Sequence, residues 1–316
     1  MPSLRILYDV DGWSFHNRAL ALQKYAPDDF DVSLGRYLHE QDLSHALGDR
    51  APDMLLLIRF RSTKLVRQEL RQRNWPTKLV TIWNNGWPRG IDRLDEVLDQ
   101  SDLLIFNNQT AWNNSGRPYG SLCIPNGVDL DIFKVTIPPS ERSTKILWTG
   151  SQLLRELKGY DDYIVRLGKQ LEQRRIEHDF MLVDSFGDDK LSRQEMVDWY
   201  NSGNILVCAS HTEGTPNVAL EAAACGCVIV STPVGNMPEL IRHGENGYLA
   251  DRTVGSLVKG VENARSNYLQ LAEQMQEDIA DWSWAKRSEE FYDAVRALVD
   301  TPRRVAIDED ATKHVT

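Results

Sequence analysis

The chain has 316 residues, of which 41% are hydrophobic and 26% charged, and a formal net charge of −10. That length holds two ordinary domains or one large one, and the composition is that of a globular protein with a sizeable core. The acidic balance argues against indiscriminate binding to nucleic acid or anionic lipid, and no run nears the roughly 18 apolar residues needed to cross a bilayer.

Residues 1–8 read directly as a strand rather than as a signal peptide, and the first strand is expected at 5–10. Further short apolar runs follow at 54–58, 78–82, 103–106, 145–149, 180–183, 205–208 and 228–230. Between them lie amphipathic stretches at 18–25, 65–73, 161–173, 194–200 and 218–224. Near-continuous apolar strands alternating with helices predict an α/β protein whose parallel sheets are covered on both faces. Pro125-Asn126-Gly127 is a turn signal, and Pro138-Pro139-Ser140 precedes a fresh strand. Two Rossmann-like units are therefore expected, 1–127 and 128–284, with a closing helix at 285–300 packing back toward the first unit and a polar, frayed tail at 301–316. Ligands of such sheets sit at the carboxyl ends of the strands, so the cleft between the units is the expected site. Cys123, Cys208, Cys225 and Cys227 suggest reduced thiols in a cytosolic compartment, and Cys225-Gly226-Cys227 has too few companions for a zinc site.

The most informative segment is His211-Thr212-Glu213-Gly214-Thr215-Pro216-Asn217-Val218-Ala219-Leu220-Glu221. Thr215 is a good N-cap and Pro216 a good first helical residue, so a helix should begin here and end at Gly226. Gly214 lets a ligand approach the backbone, and the first-turn amides of Asn217 and Val218 have no intrahelical partners, an arrangement that binds phosphate. A carboxylate beside a phosphate site makes electrostatic sense when it accepts hydroxyl donors, which sugars and riboses supply. Glu213 and Glu221 are so placed.

These two glutamates resemble the E-x7-E signature of family 4 glycosyltransferases of GT-B fold (glycosyl transferases group 1). Ile124-Pro125-Asn126-Gly127-Val128-Asp129 resembles that family's interdomain hinge. Ile146-Leu147-Trp148-Thr149-Gly150, followed by Lys158-Gly159, resembles its first donor-domain strand and phosphate lysine. The stretches 230–241 and 244–249 and the pair Ser283-Trp284 continue the pattern in order, over about residues 120–300. The resemblance implies that Glu221 holds the donor ribose and that Glu213 touches the donor sugar near the reacting carbon. Lys158 would neutralise the departing diphosphate, helped by the amides of Gly214 to Val218. It further implies retention of anomeric configuration and no need for metal or other cofactor. Where the family places an arginine just after the glycine equivalent to Gly150, this chain has Ser151, and Arg155 is the substitute within reach. Asp9-Val10-Asp11 imitates the metal-binding Asp-x-Asp of another glycosyltransferase fold, but on the first strand, where that motif does not lie. Asn236 and Glu239 have the spacing of a capping box.

The resemblance thins before residue 120. Gly12 alone stands where the family has paired glycines, with Trp13 and His16 beside it. Trp83 and Asn84 occupy the segment that usually carries a histidine, making Gly12, Trp13, His16, Trp83 and Asn84 the acceptor-side candidates. Trp13, Trp83, Trp87 and Trp112 are many for one small unit; their faces stack on sugars or bases, or fill a core. Residues 59–93 carry nine lysines and arginines against Glu69 and Asp92. That admits an ordinary solvated face, peripheral contact with an anionic membrane, or contact with a polyanion such as nucleic acid. The expected protein is thus a cytoplasmic enzyme of the hexosyltransferase class, in one form peripheral at the inner membrane face. It would move a sugar from a nucleoside-diphosphate donor to an acceptor the sequence does not identify: glycan, lipid-linked or polyanionic. The alternatives are a GT-B sugar phosphorylase or epimerase, or a non-catalytic nucleotide-sugar-binding homologue.

Overall fold

A computed structural model describes residues 1–86, 88–184 and 191–299. The expected tail, residues 301–316, the last residue of the closing segment and Trp87 lie outside those residues. In the first unit the order is β1 (Ser3–Tyr8), α1 (Ser14–Lys24), β2 (Asp31–Arg36), α2 (Leu43–Leu47), β3 (Met54–Leu57), α3 (Thr63–Gln72), β4 (Lys78–Trp83), α4 (Leu94–Gln100), β5 (Leu103–Phe106), α5 (Gln109–Asn114) and β6 (Ser121–Cys123). The second unit runs β7 (Ile146–Ser151), α6 (Val165–Gln173), β8 (His178–Val183), α7 (Arg193–Asn201), β9 (Ile205–Cys208), α8 (Asn217–Ala224), β10 (Val228–Ser231), α9 (Met237–Leu240), β11 (Gly247–Leu249), α10 (Val254–Ser266) and α11 (Tyr268–Ile279), before α12 (Trp284–Val299).

Both sheets are parallel throughout, with strand orders β2-β1-β3-β4-β5-β6 and β11-β10-β9-β7-β8. Strands β3, β5, β9 and β10 are buried along their whole length, the pattern of strands covered by helices on both faces. The strand order reverses between β1 and β3 in one sheet and between β7 and β9 in the other. Loops leaving the carboxyl ends of strands diverge at such points and leave a crevice. The two crevices supply the facing walls of the site.

The units are tied at the hinge. Val128 bridges Ser283, and a Cβ on Gly127 would collide with the Trp284 backbone, so the two interdomain strands run in contact. Past this crossing α12 returns to the first unit. Phe291, Tyr292 and Val295 join Leu4, Ile6, Leu22 and Phe30 in one buried cluster, and the Tyr292 hydroxyl donates to the Leu22 carbonyl at 2.7 Å.

The basic segment 59–93 divides in the structure. Arg67 is buried, with Nη2 2.6 Å from Asp102 Oδ2 and Nε donating to the Gln100 carbonyl. The same Asp102 oxygen accepts the Leu79 amide, so this pair pins α3 to the inner strand β4. Arg73 binds Glu69 and the Gly48 carbonyl, and Arg59 the Leu38 carbonyl. Arg61, Lys64, Arg71 and Arg89 remain exposed. A composition count reads these as one face, but burial separates structural cations from surface ones.

Removing one member of a buried ion pair strands the other without water. Arg67→Ala is expected to lose about 3–5 kcal/mol of stability by denaturant unfolding. A loss below about 1 kcal/mol would show that Asp102 finds other partners.

Candidate active site

Helix α8 starts one residue later than its sequence suggests. Pro216 is the N-cap, at φ −75° and ψ 85°, and the first intrahelical bond is Ala219 N to Pro216 O. The Asn217 and Val218 amides thus stand free of the helix's own ladder, as anion binding requires. Thr215, the expected cap, instead sends its hydroxyl across to the Asn107 carbonyl at 3.2 Å. At the other end Gly226 follows the helix at φ +87°, the left-handed conformation expected there.

Lys158 and Glu213 come from the loops after β7 and β9, the two strands that flank the switch point. Lys158 Nζ lies 2.6 Å from Glu213 Oε1, and the Ser210 hydroxyl donates to that same oxygen at 2.7 Å. Burial opposes the charge on Lys158, but the adjacent Glu213 carboxylate outweighs it and holds the ammonium's pKa above its ordinary value. Gly150 gives room to the Trp148 ring and to the Lys158 stem, since a Cβ there would meet both. Ser151 ends β7. Arg155, the expected substitute for the missing arginine, is paired with Asp161, its Nε donating to Oδ2 at 2.8 Å.

Glu221 lies one turn into α8, where the Tyr200 hydroxyl donates to Oε2 at 2.9 Å. Desolvation raises its pKa to about 7 against the pull of Tyr200 and Arg193. It lines a pocket with Asn217 from α8, Ser14 and Arg18 from α1, and Asn126 from the hinge. Asn217 links all three elements. Its Nδ2 donates to Ser14 Oγ at 2.8 Å, and its Oδ1 accepts from Asn126 Nδ2 at 3.1 Å. Reading the sequence missed Ser14, Arg18 and Asn126 as site residues. The signal was that Ser14 opens the helix after β1, at the first sheet's switch point.

The acceptor-side candidates separate. Trp83 does not face the cleft: it is 1% exposed, stacked on Phe60 at 4.5 Å between ring centres and tilted on Phe106 at 5.9 Å. It fills the core beneath the loop, which corrects its assignment as an acceptor residue. His16 closes the loop after β1, where its Nδ1 accepts the Gly12 amide at 2.8 Å and its ring stacks on Tyr8. Gly12 holds φ +73° and Trp13 is the N-cap of α1. Asn84 donates from Nδ2 to the Ile58 carbonyl.

Asn84 also explains Gly214. A Cβ on Gly214 would overlap the Asn84 carbonyl, and one on Gly86 would overlap the Glu213 carbonyl and the Thr212 hydroxyl. The close approach that Gly214 permits is therefore to the facing unit's backbone, where a ligand had been expected. Glu239 makes a further crossing. Its Oε1 accepts the Gln109 amide of α5 at 2.6 Å, so it caps a helix of the first unit and not its own, which corrects the capping box with Asn236. Among the described residues no group of three or more His, Cys, Asp or Glu side chains converges as a metal site, and no helix is long and apolar enough to cross a membrane.

Comparison with known proteins agrees with this geometry. Residues 168–267, which run from α6 to the end of α10, match the family model described as glycosyl transferases group 1. The D-inositol 3-phosphate glycosyltransferase of Xylanimonas cellulosilytica is 28% identical over 200 residues, 50% of this chain and 46% of that protein. Its namesake from Mycolicibacterium smegmatis is 25% identical over 225 residues, 60% and 51% respectively. The chain thus spans about half the length of these curated relatives. Among solved structures, sucrose-phosphate synthase from Thermosynechococcus elongatus aligns with a TM-score of 0.71 at 13% identity, over 94% of this chain and 99% of that one. Anabaena HepE in complex with UDP aligns at 0.68 and 13%, over 94% and 100%. The fold is GT-B, two parallel-sheet units facing one cleft.

Overpacked contacts cost about 1–3 kcal/mol. Gly86→Ala and Gly214→Ala should each destabilise by that order, and the double variant by clearly less than the sum, because both push apart the same two loops. Strictly additive losses in denaturant midpoints would show that the loops do not interlock.

Proposed function

We propose that the protein is a glycosyltransferase that takes a sugar from a nucleoside-diphosphate donor and transfers it to an acceptor hydroxyl with retention of configuration, without metal. The observation that carries the reading is the Lys158–Glu213 pair at the mouth of α8, in a group 1 domain, beside amides that have no helical partners. The UDP complex of the structurally similar HepE supports a nucleotide donor.

In this reading the Asn217 and Val218 amides and Lys158 receive the diphosphate, and Glu221 accepts hydrogen bonds from the ribose hydroxyls. An ammonium has three donors; one is held by Glu213 and two remain for phosphate oxygens. The bond between the sugar's anomeric carbon and the phosphate oxygen breaks, and its electron pair leaves with the diphosphate. The acceptor oxygen bonds to that carbon from the same face, and its proton passes to the departing phosphate oxygen. Lys158 and the helix end stabilise charge as it builds up on the leaving group. In the same reading Glu213, its Oε1 fixed by Lys158 and Ser210, orients the sugar at the reacting carbon.

Lys158→Ala and Glu213→Ala are each expected to lower transfer about 10²–10³-fold in kcat with an unchanged circular dichroism spectrum. Wild-type turnover in either variant would remove this mechanism. Glu221 supplies an independent check. Its carboxyl, with a pKa of about 7, is ionised above that value, and only the ionised form accepts two hydroxyl donors fully. Affinity for a nucleotide sugar, whose diphosphate diester does not titrate in this range, should therefore fall about tenfold from pH 8 to pH 6. Glu221→Gln should flatten that profile, and an equally steep profile in the variant would place the titrating group elsewhere.

A further inference from the structure

A bound diphosphate needs more positive charge than the cations nearest α8 leave available. Lys158 already faces Glu213 at 2.6 Å, Arg155 is held by Asp161, and Arg193, on the same pocket wall as Glu221, lies over the Phe133 ring and acts on the Glu221 carboxyl. Arg18, on α1 of the opposite unit, differs. It is 4% exposed, its Nε has no hydrogen-bond partner, and among the described residues its guanidinium joins no ion pair. The carboxylates of the pocket it lines are engaged elsewhere: Asp129 faces Lys24 at 3.3 Å, and Glu221 accepts from Tyr200. The Trp284 ring, 5.9 Å from Arg18 Cζ, orients the group without neutralising it. Burial alone brings its pKa down to about 9. An unpaired buried charge is costly unless something supplies its counterion. Asn126, 6% exposed on the same pocket wall, likewise leaves Oδ1 without a partner.

We infer that Arg18 binds a phosphate of the donor from across the cleft, so that the first unit adds a charge to those of the group 1 domain. The inference rests on the donor reading above. The pocket that holds Arg18 also holds Glu221 and Asn217, so a ribose on Glu221 and a phosphate at the α8 amides bring an anion to this wall. The neutral hydroxyls of the ribose would leave the guanidinium uncompensated; the phosphate does not. Asn126 Oδ1 is placed to accept a hydroxyl of the same ligand.

Calorimetric titration of UDP, GDP, ADP, CDP and dTDP into the wild-type chain selects the tightest diphosphate, and competition against it gives the affinity of the parent nucleoside. Arg18→Met is expected to weaken the diphosphate at least tenfold and to change the nucleoside less than twofold. With the unpaired charge gone, the thermal midpoint of the ligand-free protein should hold or rise. Arg18→Lys, which keeps the charge, should recover part of the lost affinity. Equal losses for diphosphate and nucleoside, or a lowered midpoint with unchanged diphosphate affinity, would make Arg18 a packing residue and overturn the inference. If the wild type binds none of the five diphosphates, the donor reading falls along with it; if it binds one and Arg18→Met binds as tightly, only the inference falls.

Discussion

The site depends on a backbone contact that tolerates no side chain. The loop after β4 and the loop after β9 meet at Asn84 to Gly86 and Thr212 to Gly214, where each glycine lies against the other unit's carbonyl. A methyl group at either position would hold the units apart. With the loops in contact, Asn217 reaches Ser14 and Asn126, and Glu239 reaches the start of α5. These bonds belong to one closed arrangement of two sheets. The hydrogen bonds add direction, but the absence of two Cβ atoms lets the surfaces approach at all.

Charge follows the same geometry. Lys158 and Arg155, close to the α8 terminus, sit in ion pairs, whereas among the described residues Arg18 and Arg193 line the adjoining pocket without one. Carboxylates lie nearby with their ionised form disfavoured: Glu221 and Glu239 are each raised to about 7, mainly by desolvation. Such a site sets cations beside carboxylates that ionise reluctantly. It is suited to a ligand that brings both negative charge and hydroxyl donors, because each satisfies a group that protein contacts leave wanting.

Much of this was legible in the residues and some was not, for definite reasons. The central strands appear as apolar runs because both faces are covered. The edge strand β2, exposed at alternate positions, and the three-residue strands β6 and β11 carry no such run. Lys158, Glu213 and Glu221 could be named because they sit in an ordered series of motifs. Trp83 misled because a tryptophan beside Asn84-Asn85-Gly86 has the same letters whether it faces a ligand or a core. Its neighbours Phe60 and Phe106 decide the matter, and both are distant in sequence. Arg18 gave no signal, since an arginine after His16-Asn17 in an amphipathic helix reads as solvated. Its burial arises from the hinge and from Trp284, 266 positions later in the chain.

The return of α12 bears on how the molecule is made. Among the described residues the two core clusters of the second unit draw only on residues between Val128 and Trp282, whereas one of the first unit's three clusters includes Phe291, Tyr292 and Val295. During synthesis the unit that emerges first therefore waits longest for its last core residues, with Leu22, Phe30 and their neighbours open to solvent until α12 has left the ribosome. Birth order and completion order run opposite, and the early unit is the one with hydrophobic surface to shield in the interval.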